Sequence, residues 1–432
     1  MQKKIAKYIL GILILSGIIF VHQSCKITSG MTKISSISDL TVIENSPFGV
    51  SANCKKSKAY LPTLAHLSHT PEKVIRVNFH FMNNEAKTVN YSEENARRYA
   101  RDLLVYAHKN LENRASNLPL GNDYEVIPSR YKYEITSSEG YEKDAGVYMH
   151  YDDELYYFVF KGKDRNLGSR AMYNKYAIGQ DSILNIFMTP HFPDSIASPT
   201  YGFGGSKGVA LGTHVKISGM HKRRFDPWSN TGNFNHEVGH IFSLGHAWRN
   251  DGCDDTPEHD NRCFAPDGTA CDSLTSNNMM DYNTFQNAIT PCQLGRVHQK
   301  MSMKSSRVRK FVKNDWCTFN AAKTLTIRDN VSWAGEKDLR GNIVIESGGF
   351  LEILCRVSMP PKGKILVKSG GTLLLNNAWL HNDCDKTWDG IFVETENNNS
   401  GKVQYIGNPK IENTVEPFSL ELSEEKQEKS KP

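Results

Sequence analysis

Histidine and glutamate side chains with the spacing of metal ligands stand in one segment of the chain, from His236 to His246. His236 and His240 are four residues apart, so on a helix both imidazoles lie on one face and reach one ion. Glu237 stands beside them, where its carboxylate can contact a metal-bound water without being a ligand. His246 is a third candidate ligand, and a catalytic zinc ion needs three protein ligands and one open position. The segment therefore predicts a catalytic Zn²⁺ site.

A single straight helix cannot aim all three imidazoles at one point, because His246 comes six residues after His240 and falls on another face. The helix must therefore end between these two residues, and Gly245 is available for the turn. The competing interpretation is a buried structural pair of histidines. A third histidine at a set spacing makes the metal site the stronger interpretation.

A second segment, Asn278-Met279-Met280-Asp281-Tyr282, follows at a distance compatible with a return of the chain beneath the site. With it, the sequence resembles the metzincin metallopeptidases, and within them the pappalysin-like branch. That family carries the zinc motif HExxHxxGxxH and a later tight turn with a methionine under the metal. Over roughly residues 75 to 315, the resemblance implies these roles: zinc ligands His236, His240 and His246; general base Glu237; turn methionine Met280; catalytic tyrosine Tyr282.

Ser243 departs from the family, which has glycine at this position. The family glycine adopts a positive φ, which costs a non-glycine residue on the order of 1 kcal/mol or more. Three outcomes are open: Ser243 tolerates the strain, Gly245 takes over the turn, or His246 is displaced. If His246 is not a ligand, Asp254 or Asp255 is the alternative.

These features together predict a zinc-dependent endopeptidase that acts on a protein or peptide substrate. Glu237 would accept a proton from the zinc-bound water and later deliver it to the leaving amine. The Tyr282 hydroxyl would stabilise the charge on the former carbonyl oxygen, the role that the resemblance assigns to it. The substrate would lie extended along an edge strand at residues 208–212. The alternatives are a surface adhesin or binding protein with an inactive protease domain, and a zinc hydrolase acting on a non-peptide bond.

The elements that must position these residues alternate strands with a long helix. Apolar residues alternate with polar ones over residues 74–81, which predicts a half-buried strand. Ser92 then begins a helix with apolar residues at three- and four-residue steps. The pattern indicates an α/β or α+β layer. With the resemblance, it predicts an α+β, metzincin-like catalytic domain over residues 71–318, with a mixed twisted sheet, a zinc helix and a Met-turn.

A different pattern follows residue 318. Residues 341–349 recur with similar sequence as residues 363–371, and residues 388–393 resemble them less closely. A strand, a Ser-Gly-Gly corner and another strand at a fixed period are typical of β-solenoid coils. The pattern predicts a small all-β, β-solenoid-like domain over residues 319–412, with a small sandwich as the alternative. Residues 413–432 are expected to form a disordered tail.

The first residues have the pattern of an export signal. Lysines precede an apolar run from Ile9 to Val21, and Ser24-Cys25 stand shortly after it, so residues 1–25 are predicted to be a signal peptide with a lipobox-like end. Lipidation at Cys25 would anchor an exported protein at a bacterial outer membrane or cell surface. His22 departs from the usual lipobox, so plain secretion and a signal anchor are alternatives. Residues 26–70 show little periodicity and are predicted to be a tether or pro-segment.

Cysteine usage fits an exported protein, because eight cysteines besides Cys25 can pair in an oxidising compartment. The resemblance suggests that Cys253 pairs with Cys271 and Cys263 with Cys292, although the sequence leaves all three connectivities of these four open. Cys355 and Cys384 are candidates to join neighbouring coils. For Cys54 there are two interpretations: a disulfide with Cys317, which we favour, or a pro-segment thiolate that blocks the zinc.

Composition and charge exclude several other classes. The 52 basic and 47 acidic residues leave a net charge of +5, which gives no nucleic-acid footprint. The mean hydropathy of −0.50 excludes a polytopic membrane protein, so membrane contact is expected only through Cys25. The acidic loop over residues 250–278 is either solvated or binds calcium, and the resemblance points to Asp254, Asp255 and Thr256 as possible Ca²⁺ ligands. Nothing in the sequence predicts an oligomeric state.

Overall fold

The computed structural model describes residues 29–49, 54–118, 124–157, 166–198 and 207–420. The expected signal peptide, Cys25 and the end of the expected tail, residues 421–432, lie outside the described residues. Within the described part of the chain, no helix is both long and apolar enough to cross a bilayer.

The α-helices are α1 Glu93–Leu111, α2 Ala171–Tyr176, α3 Pro193–Ala197, α4 Thr231–Ile241, α5 Cys271–Leu274 and α6 Pro291–Ser302. The strands of the N-terminal half are β1 Ser29–Ile34, β2 Thr41–Val42, β3 Lys73–Asn83, β4 Tyr131–Ile135, β5 Val147–Tyr151, β6 Leu184–Thr189, β7 Gly208–Ala210 and β8 His214–Ser218. Those of the C-terminal region are β9 Leu325–Ile327, β10 Asn330–Trp333, β11 Lys337–Asp338, β12 Ile343–Ile345, β13 Phe350–Ile353, β14 Arg356–Ser358, β15 Lys364–Val367, β16 Thr372–Asn376, β17 Trp379–His381, β18 Gly390–Glu396, β19 Asn399–Ser400, β20 Lys402–Ile406 and β21 Lys410–Ile411. Mixed and parallel sheets with few helices give the chain an α+β organisation.

One mixed sheet carries the motif-bearing half of the molecule, in the strand order β4-β3-β6-β8-β7. Its strands are parallel except β7, which pairs antiparallel with β8 at the edge. The prediction of a half-buried β3 is wrong, because Asn78 and His80 are as buried as the apolar residues between them. Helices α1, α4 and α6 contribute to the core on one face. On the other face, a smaller apolar cluster that includes Met172 and Phe187 excludes water.

The C-terminal region consists of three parallel sheets, whose orders are β9-β12-β15-β18, β10-β13-β16-β20 and β11-β14-β17-β21. The two similar segments found in the sequence lie side by side, with Ile343 opposite Ile365 and Phe350 opposite Thr372. Residues that occupy the same position in successive segments therefore stack, and their inward apolar side chains form a separate core.

Residues 26–70, expected to be a tether or pro-segment, carry strands that complete the C-terminal sheets. β1 pairs antiparallel with β18, and β2 pairs parallel with β20. The physical reason is that a terminal strand presents unpaired backbone N–H and C=O groups, which an added strand satisfies. Within the described residues, the expected tail also has order, because Ser419 bridges to Ser36.

The expectation of disulfides is confirmed, but the expected pairings are wrong. The described residues contain four bonds: Cys253–Cys292, Cys263–Cys271, Cys54–Cys355 and Cys317–Cys384. Pairing requires Cα atoms about 4.4–6.8 Å apart, and the fold decides which cysteines approach so closely. Helix α6 brings Cys292 against the loop that holds Cys253, at a Cα–Cα distance of 5.6 Å. Since Cys54 is bonded to Cys355, it is not a thiolate that blocks a metal.

The two halves also meet through buried ion pairs around Asp338, a residue of β11. Its carboxylate accepts hydrogen bonds from Lys73, Arg309 and Arg356 at 2.8–3.0 Å. The Asp338 side chain is fully buried, and the three cations hold its pKa far below the usual range despite that burial. This cluster and the disulfides Cys54–Cys355 and Cys317–Cys384 join the C-terminal sheets to the rest of the chain.

Candidate metal centre and cleft

Helix α4 presents the first two candidate ligands on one face. Nε2 of His240 lies 3.1 Å from Nε2 of His236. Each imidazole uses its other nitrogen on the backbone: Nδ1 of His236 is 2.9 Å from the Met279 carbonyl, and Nδ1 of His240 is 2.8 Å from the Leu244 carbonyl. A carbonyl only accepts, so Nδ1 carries the proton in both rings and Nε2 keeps its lone pair.

A sharp turn after α4 brings in the third candidate. Ser243 adopts a positive φ of +67°. Of the three outcomes that the sequence left open, the structure therefore has the one in which Ser243 itself takes the strained conformation. The Leu244 N–H donates to the Gly239 carbonyl at 3.1 Å, which closes the end of the helix. Nε2 of His246 then lies 3.1 Å from Nε2 of His240.

The three imidazoles fit a zinc ion. Ligand nitrogens about 2.1 Å from a tetrahedral ion are about 3.4 Å apart, close to the separations of 3.1 Å found here. Burial lowers the pKa of His236 to about 3 and that of His246 to about 4, and it also lowers the pKa of His240. The rings are therefore neutral near pH 7, as metal ligands must be.

Met280 lies beneath this group, fully buried. A Cβ atom at Gly239 would come within 2.5 Å of the Met280 sulfur, so the side chain packs directly against α4 between the two helical histidines. The chain thus returns below the imidazoles at Met280.

Glu237 projects from α4 towards the edge strand β7. Its carboxylate accepts a hydrogen bond from the backbone of Ala210, and burial raises its pKa to about 8. A cation held by the imidazoles would oppose this rise, because positive charge favours the carboxylate. Gly208 faces the same side chain so closely that a Cβ atom there would be 2.4 Å from Glu237 Cγ and 2.6 Å from Oε1.

Tyr282 stands beside the histidines, and its side chain is about half exposed. Its ring centroid is 5.8 Å from that of His236 and 5.1 Å from that of His246. Trp248, which sequence reasoning missed, contacts both His246 and Tyr282. Its only signal in the sequence was its position two residues after the last histidine.

A cleft of about 790 Å³ opens on this group. Lys207 and Gly208 border it at the edge strand, and His236, Glu237 and Tyr282 line its side towards the histidines. Large apolar side chains that are well exposed to solvent also line it: Trp228, Phe264 and Phe285. The cleft therefore offers apolar contact surface next to β7, which is an edge strand among the described residues.

The three residues expected to bind calcium lie close in the chain but have different environments. Asp255 is buried and accepts hydrogen bonds from the Thr290 hydroxyl and the Cys292 N–H, at the start of α6. The Thr256 hydroxyl donates to Asp251, and Asp254 is exposed. Calcium binding by these residues stays a prediction. Because His246 lies beside the other two histidines, neither Asp254 nor Asp255 is needed as the third zinc ligand in its place.

Among the described residues, two groups of side chains are close enough to hold a metal ion: His236, His240 and His246, and the group Cys253, Asp255 and Cys292. The second group contains a disulfide, so its sulfurs are not free thiolates. The three histidines are thus the candidate metal centre.

Comparisons with known proteins found similarity to solved structures alone. No protein-family model matches the chain, and no curated protein matches it. The chain is similar to the structure of Tannerella forsythia mature mirolysin in complex with a cleaved peptide, at 15% identity and a TM-score of 0.38, over 55% of this chain and 94% of that one. It is also similar to mirolysin in complex with compound 9, at 17% identity and a TM-score of 0.38, over 56% and 96% of the two chains. Because both TM-scores are below 0.5, the function proposed below rests on the geometry of the site.

Proposed function

We propose that this protein is a zinc-dependent endopeptidase of the metzincin type. The observation that carries the proposal is the convergence of three neutral imidazoles beside a buried glutamate, at a cleft bordered by an edge strand. His236 and His240 meet at 3.1 Å, as do His240 and His246. The motif residues and Met280 beneath them support the pappalysin-like branch as the finer assignment.

The three histidines would hold the zinc ion through Nε2. Zinc bound in such a site supplies Lewis acidity, which polarises a peptide carbonyl and makes water a stronger acid. The carbonyls of Met279 and Leu244 keep the rings of His236 and His240 in the tautomer that binds.

Glu237 is the proposed general base. Its raised pKa suits a group that takes up the proton of the attacking water and then gives it to the leaving amine. The Ala210 N–H, which donates to this carboxylate, keeps it at the edge of the cleft. The phenol of Tyr282, half exposed beside His236 and His246, is the proposed donor to the negatively charged oxygen that forms during attack.

The substrate would be an extended peptide chain. Strand β7 is hydrogen-bonded to β8 on one side and borders the cleft near Glu237. An added peptide strand pairs with backbone groups of any sequence. The exposed rings of Trp228, Phe264 and Phe285 would contact its side chains.

Two further assignments accompany this proposal. We propose that residues 319–412 form a β-solenoid, because successive strands stack in parallel and in register in three sheets. We also propose that the protein is exported and anchored through Cys25, or else secreted, and the four disulfides support an oxidising compartment.

The test compares the full-length protein with Glu237→Gln. We expect the wild type to bind about one zinc ion and to cleave an unfolded protein substrate. The variant should keep the metal and lose cleavage by a factor of about 10²–10⁴, the range for removing a general base. Glu258→Gln, which changes an exposed acid of the following loop, is the matched control and should cleave normally. Full cleavage by Glu237→Gln would contradict the proposed base.

The alternative is an adhesin or binding protein with an inactive protease domain. A folded wild-type protein that binds no zinc and cleaves no unfolded substrate would favour it. Zinc binding with hydrolysis of a non-peptide bond alone would favour the other alternative, a zinc hydrolase of a different class.

A further inference from the structure

The third histidine is held differently from the other two. His236 and His240 each have Nδ1 hydrogen-bonded to a carbonyl. Within the ranges that the structure describes, Nε2 of His246 contacts Nε2 of His240. Nδ1 of His246 makes no polar contact within these ranges. Among the described residues, no hydrogen bond through Nδ1 therefore fixes the rotation of this ring, whereas a metal ligand needs a defined orientation.

Trp248 supplies the missing restraint. Its indole stacks on the imidazole of His246, with ring centroids 4.1 Å apart and planes 12° apart. The phenol of Tyr282 packs against the same indole at 4.2 Å and meets the His246 ring edge-on at 5.1 Å. The three rings form one cluster, in which the indole contacts both the third ligand and the tyrosine.

The backbone around the indole is itself fixed. The Ala247 N–H donates to the Met280 carbonyl at 3.0 Å, and the Trp248 carbonyl accepts from the His259 N–H at 3.3 Å. These bonds matter because the residues that follow Ser243 lie beyond α4, where helical hydrogen bonds no longer hold the chain. The indole thus acts from a loop attached to the turn beneath the imidazoles.

We infer that Trp248 is a positioning residue, which holds the imidazole of His246 and the phenol of Tyr282 in the orientations needed at the metal centre. The inference rests on the proposed function, since it assumes that His246 binds the metal. Groups that orient metal ligands typically contribute 10- to 100-fold to metal affinity. Loss of the indole should therefore weaken zinc binding by about tenfold or more.

The experiment measures zinc affinity of the full-length protein by competition with a chelator, for the wild type, Trp248→Leu and Trp248→Phe. Leucine keeps apolar bulk without an aromatic face, and phenylalanine keeps a face that can stack. We expect weaker binding for the leucine variant and substantial rescue by phenylalanine. Trp379→Leu, at a tryptophan of β17 that stacks on His381 with ring centroids 4.2 Å apart, is the matched control and should bind zinc like the wild type.

A spectroscopic readout separates positioning from general damage. The visible absorption of the Co²⁺-loaded protein reports the number and geometry of its ligands, and in Trp248→Leu it should change towards the spectrum of His246→Ala. Unchanged zinc affinity and an unchanged Co²⁺ spectrum in a folded Trp248→Leu would overturn the inference, and so would an equal loss in Trp379→Leu. If Trp248→Leu does not fold, Trp248→Met, which also lacks an aromatic face, decides in its place: it should bind zinc more weakly than Trp248→Phe, and equal affinity in these two folded variants would overturn the inference. A wild type that binds neither metal would instead refute the proposed function.

Discussion

A methyl group added at Gly208 tests how tightly the proposed base is held. The Cβ of Gly208→Ala would lie 2.4 Å from Glu237 Cγ, 2.6 Å from Oε1 and 2.7 Å from Cδ. Ordinary contacts to such an atom are 3.4–4 Å long, so the Glu237 carboxylate must move by about 1 Å or β7 must move away from it. Gly208 does not have the positive φ that would strain alanine, so the effect is steric.

The size of the effect follows from this displacement. Misplacing a reacting group by about 1 Å costs roughly 10²-fold in rate, which corresponds to about 2.7 kcal/mol of transition-state stabilisation. We expect kcat for peptide cleavage to fall by about that factor, while zinc content stays at the wild-type value, since the nearest atoms to the added methyl all belong to Glu237. If β7 moves instead, KM rises because the strand edge that pairs with the substrate is displaced.

The assay is steady-state cleavage of a peptide substrate, with zinc measured on the same samples. Gly168→Ala is the control, because no atom of the described residues lies within 4 Å of a Cβ atom at that position, and it should leave both parameters unchanged. Wild-type kcat and KM in zinc-loaded Gly208→Ala would refute the placement of Glu237 against β7. A fall in activity matched by an equal loss of zinc would refute the steric explanation.

Three further predictions concern stability. Asp338→Ala leaves three cations around a buried site without their shared carboxylate. The free energy of unfolding should therefore fall by about 3–5 kcal/mol. An unchanged denaturation midpoint would contradict the buried ion cluster. The hydrogen bond from His259 to Asp281, 2.7 Å long, raises the pKa of His259 above 6.5. Its stabilising effect is therefore complete below pH 6.5 and is lost as the pH rises through the folded-state pKa. His259→Gln should thus lower the unfolding free energy most in acid, and a deficit that grows with pH would disprove this. Deletion of residues 1–42 removes β1 and β2, which pair with the C-terminal sheets. We expect the deletion to lower the melting temperature and to give no gain in peptide cleavage. Activation with unchanged stability would instead identify a removable pro-segment.

Much of the candidate site was predictable because its residues are close in the chain. The four-residue step from His236 to His240 determines which helix face both occupy, whatever the rest of the fold does. The face of α1 was predictable for the same reason, and its residues Ala96, Leu103 and Ala107 are buried as the periodicity indicated. Parallel strands also lie side by side where the sequence repeats: Ile343 of β12 lies opposite Ile365 of β15.

Other features depend on contacts between distant segments, and spacing carries no information about those. The disulfide partners of Cys253 and Cys54 were set by which elements pack together, so the expected pairings were wrong. The burial of both faces of β3 came from a second apolar layer that alternation along one strand does not reveal.

The sequence by itself determined which imidazoles share a helix face and which carboxylate stands next to them. Only the tertiary structure decided that Ser243 takes the left-handed turn, that His246 reaches the other two imidazoles and that Trp248 covers it. The physical reason is that helical periodicity is a local property of the backbone, whereas a strained turn and a stacked ring persist only where surrounding packing and hydrogen bonds hold them.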